Sequence, residues 1–187
     1  MDKIFHEGQT FNYLKNPEPG AYDSCKFLNC DFSNADLSDI KFLECEFHGC
    51  NFGLARLIKT SFRDVRFINC KLLGLHFEDC DNLIISFEFD CCTLDLSSFC
   101  KLKLKKTKFK DSKIIEVDFT DSDLSNSIFD NCDLQRTIFR NTNLENADFR
   151  TSFNYSIDPE LNNIKKAKFS LLSVSGLLDK YNIEIEK

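Results

Sequence analysis

The sequence predicts an all-β solenoid, a four-sided coil of very short strands with a short helix at its C-terminal end. Three observations predict the coil. A large apolar residue recurs every five positions, a small residue stands two positions before it, and phenylalanine and cysteine recur in columns twenty positions apart. Neither the 3.6-residue period of a helix nor the two-residue alternation of an ordinary strand describes this pattern.

The five-residue register starts at Phe27 and runs through Phe32, Leu37, Phe42, Phe47, Phe52, Leu57, Phe62, Phe67 and Leu72 to Phe77. It fails at Asn82 and resumes two residues out of phase at Phe89. From there it runs through Leu94, Phe99, Leu104, Phe109, Ile114, Phe119, Leu124, Phe129, Leu134, Phe139 and Leu144 to Phe149. The position two before each of these is mostly small or slender, as at Cys25, Cys30, Ala35, Cys45, Cys50, Ser112, Ser122, Ser127, Cys132 and Thr142. A large and a small residue two apart on one face is strand spacing. The other three positions carry most of the charge and amide and face outward. One such unit cannot bury its face alone, so the units must coil and stack.

The longer period gives the number of sides. Phe27, Phe47 and Phe67, then Phe89, Phe109, Phe129, Phe149 and Phe169, are twenty apart once the two-residue insertion is allowed, and so are Cys30, Cys50 and Cys70, then Cys92, Ser112 and Cys132. Four units therefore make one coil. In the second half, one opposite pair of faces carries phenylalanine and the other leucine, apart from Ile114. At about 4.8 Å per coil, about six to seven coils would span about 30 to 35 Å.

Three segments follow in order. Residues 1–20 lie outside the register, hold Pro17 and Pro19, and are expected to form an irregular N-terminal cap. Residues 21–169 form the coil, with a register shift near 78–90 and a break near 151–163. Residues 170–187 supply a short helix, with Leu171, Leu172, Val174, Leu177, Leu178 and Tyr181 at mostly helical spacing, and an extended Ile183-Glu184-Ile185. Solenoid ends need covering. The stripe Val174, Leu177, Leu178 and Tyr181 is too short to be stable alone, so it predicts a two-fold dimer interface, with a monomer capped by its own helix as the competing arrangement.

The repeat stands as Ala35-Asp36-Leu37, Cys50-Asn51-Phe52, Cys132-Asp133-Leu134 and Ala147-Asp148-Phe149, and this resembles the pentapeptide-repeat family. The resemblance covers about residues 22–149 and implies a right-handed quadrilateral β-helix. Asp158-Pro159-Glu160-Leu161, Gly176-Leu177-Leu178 and the closing Ile183-Glu184-Ile185 resemble the end of the microcin B17 immunity protein and, more distantly, quinolone-resistance members of the family that protect gyrase. That resemblance implies a homodimer, DNA gyrase or topoisomerase IV as partner, and a role in immunity or antibiotic resistance through a likeness to duplex DNA in shape. The family's breadth leaves open an interaction scaffold with an unrelated partner. The sequence departs from the quinolone-resistance members in having no long loop inserted in the coil.

Composition excludes other classes. Twenty phenylalanines with six glycines and three prolines rule out a disordered or collagen-like chain. No apolar run reaches the roughly 20 residues of a membrane span. The N-terminal residues show no export signal, so a cytoplasmic protein with reduced thiols is expected. A net charge of −6 disfavours direct nucleic-acid binding. Outward charge summed over the four faces leaves none more than a few negatives, far short of the one charge per about 1.7 Å of a duplex. Eight of the ten cysteines, counting Cys80 two before the failed position Asn82, fall two before a five-residue mark and would line one wall without converging, as a metal site requires. His6, His48 and His76 form no catalytic pattern, and phosphate-binding and nucleophile motifs are absent. No enzyme, cofactor or metal is expected. The most distinctive charge feature is a belt of Lys101, Lys103, Lys105, Lys106, Lys108 and Lys110, extended by Lys113, with acidic groups on either side. It reads either as a solvated surface that avoids stacking like charges or as a bipolar interaction surface.

Overall fold

A computed structural model describes residues 4–186. The strands are β1 (Ile4–Glu7), β2 (Thr10–Asn12), β3 (Gly20–Asp23), β4 (Lys26–Leu28), β5 (Lys41–Leu43), β6 (Glu46–His48), β7 (Ser61–Arg63), β8 (Val65–Ile68), β9 (Phe87–Asp90), β10 (Lys108–Lys110) and β11 (Ile128–Asp130). They form two wholly parallel sheets, in the orders β2-β4-β6-β8-β9-β10-β11 and β1-β3-β5-β7. Parallel bridges such as Asp31↔Asn51, Asp36↔Arg56 and Asp118↔Ile138 continue the stacking on the other two faces. The chain is thus a quadrilateral β-helix. In the order of the chain, face one contains Phe27, face two Phe32, face three Leu37 and face four Phe42.

The core is built from columns. On face one, Phe11, Phe27, Phe47, Phe67, Phe89, Phe109, Phe129, Phe149 and Phe169 stack without a break, with ring centroids 4.7–5.5 Å apart and planes within 16° of parallel. Phe77, Phe99, Phe119 and Phe139 form a second stack on the opposite face. Rings of these two opposite columns meet edge to face across the core, as Phe109 and Phe119 do at 77°. Each ring thus gains both favoured aromatic geometries.

The small position two before each large residue contributes more than size. At many of these positions the side chain donates to the carbonyl of the preceding face's large residue, one coil earlier. Thr60 donates to Leu37, Ser127 to Leu104 and Thr142 to Phe119, at 2.8–3.0 Å. Cys50, Cys70 and Cys92 do the same through sulfur to Phe27, Phe47 and Phe67, at 3.3–3.4 Å. Asp or Asn immediately before the large residue accepts the backbone N–H two residues on and closes the corner, as Asp36 does for Ser38 and Asp123 for Ser125. Two residues past the large one the backbone is left-handed, for example at Asn29, Asp39, Leu96, Lys106 and Asn126. The turn is repeated so closely that side chains other than Gly and Asn are carried there against their usual preference.

The register shift is a bulge. Across it β8 pairs with β9 at an offset of twenty-two, Phe67↔Phe89, against twenty below it, Phe47↔Phe67, and above it, Phe89↔Phe109. The extra residues fall on face four, where Leu83 is 87% and Ile84 60% exposed. Face one crosses this level unbroken, whereas the sheet on face four stops at β7.

The ends differ in detail from the sequence expectation. Residues 4–12, expected to be irregular, form β1 and β2 and add a coil of their own. β2 pairs with β4 at an offset of sixteen, Phe11↔Phe27, so the five-residue register does not reveal it. The shortened corner needs Gly20, where a Cβ would lie 2.3 Å from the Ile4 carbonyl oxygen. Near the C-terminus Tyr155 and Ile157 are buried within the break, and the bridges Asn143↔Asn163 and Asp148↔Lys168 restore the twenty-residue offset. The expected helix takes 3-10 form in two turns, Val174–Leu177 and Asp179–Tyr181. The first is pressed onto the coil. Ile157 N–H donates to the Gly176 carbonyl at 2.9 Å, and a Cβ on Gly176 would meet the Tyr155 carbonyl oxygen at 2.1 Å.

Candidate interaction surfaces

The lysine belt lies on one coil and turns from the corner before face four, across that face, onto face one. All six side chains are exposed. Their environments differ. Lys108 pairs with Glu88 at 2.9 Å, Lys110 with Asp90 at 3.5 Å, and Lys105 with Asp123 at 3.3 Å, each partner lying one coil away. Among the described residues Lys101, Lys103, Lys106 and Lys113 make no ion pair. The belt is therefore half neutralised, and its free charge sits on face four and its two corners.

Face one carries a regular electrostatic pattern. Lys26, Glu46, Arg66, Glu88 and Lys108 occupy successive levels of one outward column. They are linked at 3.2 Å, 3.1 Å, 3.5 Å and 2.9 Å in turn. In-register parallel stacking brings equivalent positions about 4.8 Å apart, so like charges would repel and alternation relieves them. Glu46 is held below the usual carboxylate range, first by its hydrogen bond to His48, then by Lys26 and Arg66, against some desolvation. The alternation is present in the sequence at steps of twenty and twenty-two, but it is visible only once the columns are drawn. It leaves face one close to neutral, unlike a duplex.

Four apolar residues were expected at a dimer interface. The structure turns Leu177 toward the core and half-buries Val174, while Leu178 and Tyr181 are exposed. The most exposed apolar side chains of the tail are Leu171 and Leu172, at 90% and 94%, joined by Ile183 and Ile185. The tail is fixed by charge as well. Lys180 lies 2.7 Å from Asp158 and 2.6 Å from Glu160, and the Tyr181 hydroxyl donates to Glu160 at 3.1 Å. This clamp ties the last turn to the Asp158-Pro159-Glu160 corner.

The cysteines are buried apart from exposed Cys91 and half-buried Cys100. Burial pushes the Cys30 thiol up to about 11 and the Cys45 and Cys132 thiols up to about 12, so they stay protonated and donate. Asp90, Cys91 and Asp111 have ligand atoms within 4.8 Å of one another on the surface. Lys110 reaches both carboxylates, at 3.5 Å and 3.7 Å, and already supplies the cation. No described helix is long and apolar enough to cross a membrane.

Residues 22–88 match the family model described as a pentapeptide repeat region, and residues 118–152 the one described as pentapeptide repeats in eight copies. No curated protein matches the sequence. Among solved structures the chain is similar to full-length QnrB1, described as a plasmid-mediated fluoroquinolone resistance protein. The identity is 20% and the TM-score 0.57, over 96% of this chain and 100% of that one. A trypsin-treated QnrB1 variant gives 20% and 0.56, over 99% and 100%. HetL, a pentapeptide repeat protein involved in heterocyst differentiation regulation in the cyanobacterium Nostoc, gives 13% and 0.45, over 89% and 85%.

Proposed function

The chain belongs to the pentapeptide-repeat family, and from that premise we propose that it is a non-enzymatic binding protein that protects DNA gyrase or topoisomerase IV from a toxin or a quinolone. The observation that carries this is its likeness along the whole of a fluoroquinolone resistance protein, a likeness of architecture. The likeness to duplex DNA would be one of shape, because the alternating charges on face one give no continuous negative stripe. The tail's resemblance to the microcin B17 immunity protein supports a peptide poison of gyrase as one of the agents. A cytoplasmic location and reduced thiols accord with such a target.

The working form in this reading is a two-fold dimer joined through its C-terminal ends. Leu171, Leu172, Leu178 and Tyr181 are all exposed on the tail. A second copy would cover this patch with its own equivalent. A competition assay tests the reading. The purified protein should displace labelled duplex DNA from gyrase in a saturable way, and failure to displace it at large molar excess counts against the proposal. An interaction scaffold with an unrelated partner is the second reading, and it is favoured by the unpaired lysines of face four.

A further inference from the structure

Face four is interrupted at one level only, and the interruption leaves hydrogen-bonding groups without partners. Residues 82–85 make no backbone–backbone hydrogen bond to the level above or below. The next level, 102–106, bonds only upward, through Leu102 and Leu104 with Asp123 and through Lys106 with Ser125. Elsewhere on this face the residue before the large one donates its N–H to the level below, as Asp123 does to Leu102. The corresponding N–H of Lys103 has no such acceptor, and that of Lys105 is equally unbonded.

A groove of about 360 Å³ lies at this place, with Asp64, Arg66, Ser86, Glu88, Lys105 and Lys106 among its walls. Its acids are already engaged. Asp64 accepts from the Ser86 hydroxyl at 2.8 Å, and Glu88 pairs with Arg66 and Lys108. Of the cations in its walls Lys106 makes no ion pair among the described residues, and exposed Lys101 and Lys103, on the same stretch of chain but outside the walls, make none either. Leu83 and Ile84, a few residues before Ser86 in the chain, expose apolar surface.

We propose that this interrupted face docks an extended acidic segment of a partner protein, which adds as a strand beneath residues 102–106. Its backbone carbonyls accept from the N–H groups of Lys103 and Lys105, and its carboxylates meet the Lys103 and Lys106 ammonium groups. An apolar side chain of the segment lies against Leu83 and Ile84. An unpaired strand edge is a template for strand addition, and the cation excess selects an acidic strand. A nucleic acid fits less well, because it carries no peptide carbonyls spaced to meet the N–H groups of a strand edge. This site does not rest on the topoisomerase reading: peptide binding tests the one and gyrase assays the other.

The test is a fluorescence anisotropy titration with a fluorescein-labelled hexapeptide of alternating glutamate and valine. The expected result is saturable binding with Kd below about 1 mM, weakened about tenfold or more in a Lys103→Glu, Lys106→Glu double variant. Lys113→Glu, which removes an equally exposed and unpaired lysine on face two, should change Kd by less than about twofold. Thermal midpoints close to that of the parent protein would show that both variants are folded. In amide spectra the Lys103 and Lys105 signals should shift on binding. Absence of saturation, an equal loss with Lys113→Glu, unshifted Lys103 and Lys105 amide signals at saturation, or equal binding of a single-stranded oligonucleotide would each overturn the proposal.

Discussion

The Thr142 hydroxyl donates a 2.9 Å hydrogen bond to the carbonyl oxygen of Phe119, one coil and three residues earlier. The same relationship recurs at Thr60, Ser97, Ser127 and, through sulfur, Cys50. It explains why cysteine, serine and threonine share a position that is chosen for smallness and for a donor. Thr142→Val keeps the volume and removes the donor, leaving a buried carbonyl with one partner fewer. The Phe119 carbonyl still accepts from the Ser122 N–H and hydroxyl, so the change should cost about 0.5 to 1.5 kcal/mol in chemical denaturation, whereas Thr142→Ser, which keeps the hydroxyl, should cost clearly less. Equal losses would show that volume alone matters.

Phe109 lies between Phe89 and Phe129, with ring centroids at 5.1 Å and 4.8 Å. Phe109→Ala opens a cavity in the middle of the stack and should cost about 3 to 5 kcal/mol. Lys108→Ala, next to it but exposed, removes only a surface pair and should cost less than about 1 kcal/mol. Urea denaturation of the two variants separates the inward from the outward position, and similar losses would contradict the register.

Several carboxylates stabilise the corners in their charged form. The Asp36 carboxyl is held low first by the Ser38 hydroxyl and then by the Ser38 N–H; Asp31 is held low in the same way by Ser33, and Asp148 first by Arg150. A carboxylate whose folded pKa is depressed stabilises the fold fully above its unfolded value, about 3.9 for aspartate, and loses that contribution as pH falls through the folded value. Stability measured by urea denaturation should therefore decline as pH is lowered through the carboxylate range. Asp36→Asn, which keeps an acceptor oxygen but no charge, should flatten part of that decline. A profile identical to the parent's would remove Asp36 from the account.

The chain mass is 21.7 kDa, so a dimer weighs about 43 kDa. Light scattering of the intact protein at tens of micromolar should give the dimer value. A Leu171→Glu, Leu172→Glu double variant should give the monomer value with the coil intact by circular dichroism. A parent protein that scatters as a monomer would refute the two-fold arrangement.

The coil could be read from the chain because its geometry repeats every five residues and its core residues are nearly all of one chemical kind. Phe27 to Phe77 and Phe89 to Phe149 declare their inward direction by spacing alone. The two-residue insertion is equally plain in the sequence. What spacing does not carry is its consequence, that face one heals across the bulge through Phe67↔Phe89 while face four does not. Phe11 escaped the register because the Pro17–Gly20 corner shortens its coil by four residues. The tail resisted for a different reason. Helical spacing marks Val174 and Leu177 as equivalent to Leu178 and Tyr181, but contact with Tyr155 turns the first pair inward. The lysine belt was visible as composition, whereas its division into paired and free cations depends on which acid lies one coil away.

The most direct test of the functional account is DNA gyrase supercoiling in the presence of a fluoroquinolone or of microcin B17, with and without the purified protein. The account predicts that supercoiling is restored as the protein is added, and that the Leu171→Glu, Leu172→Glu variant restores it less well. Supercoiling that stays inhibited at every protein concentration, with both poisons and with topoisomerase IV decatenation equally unprotected, would contradict it.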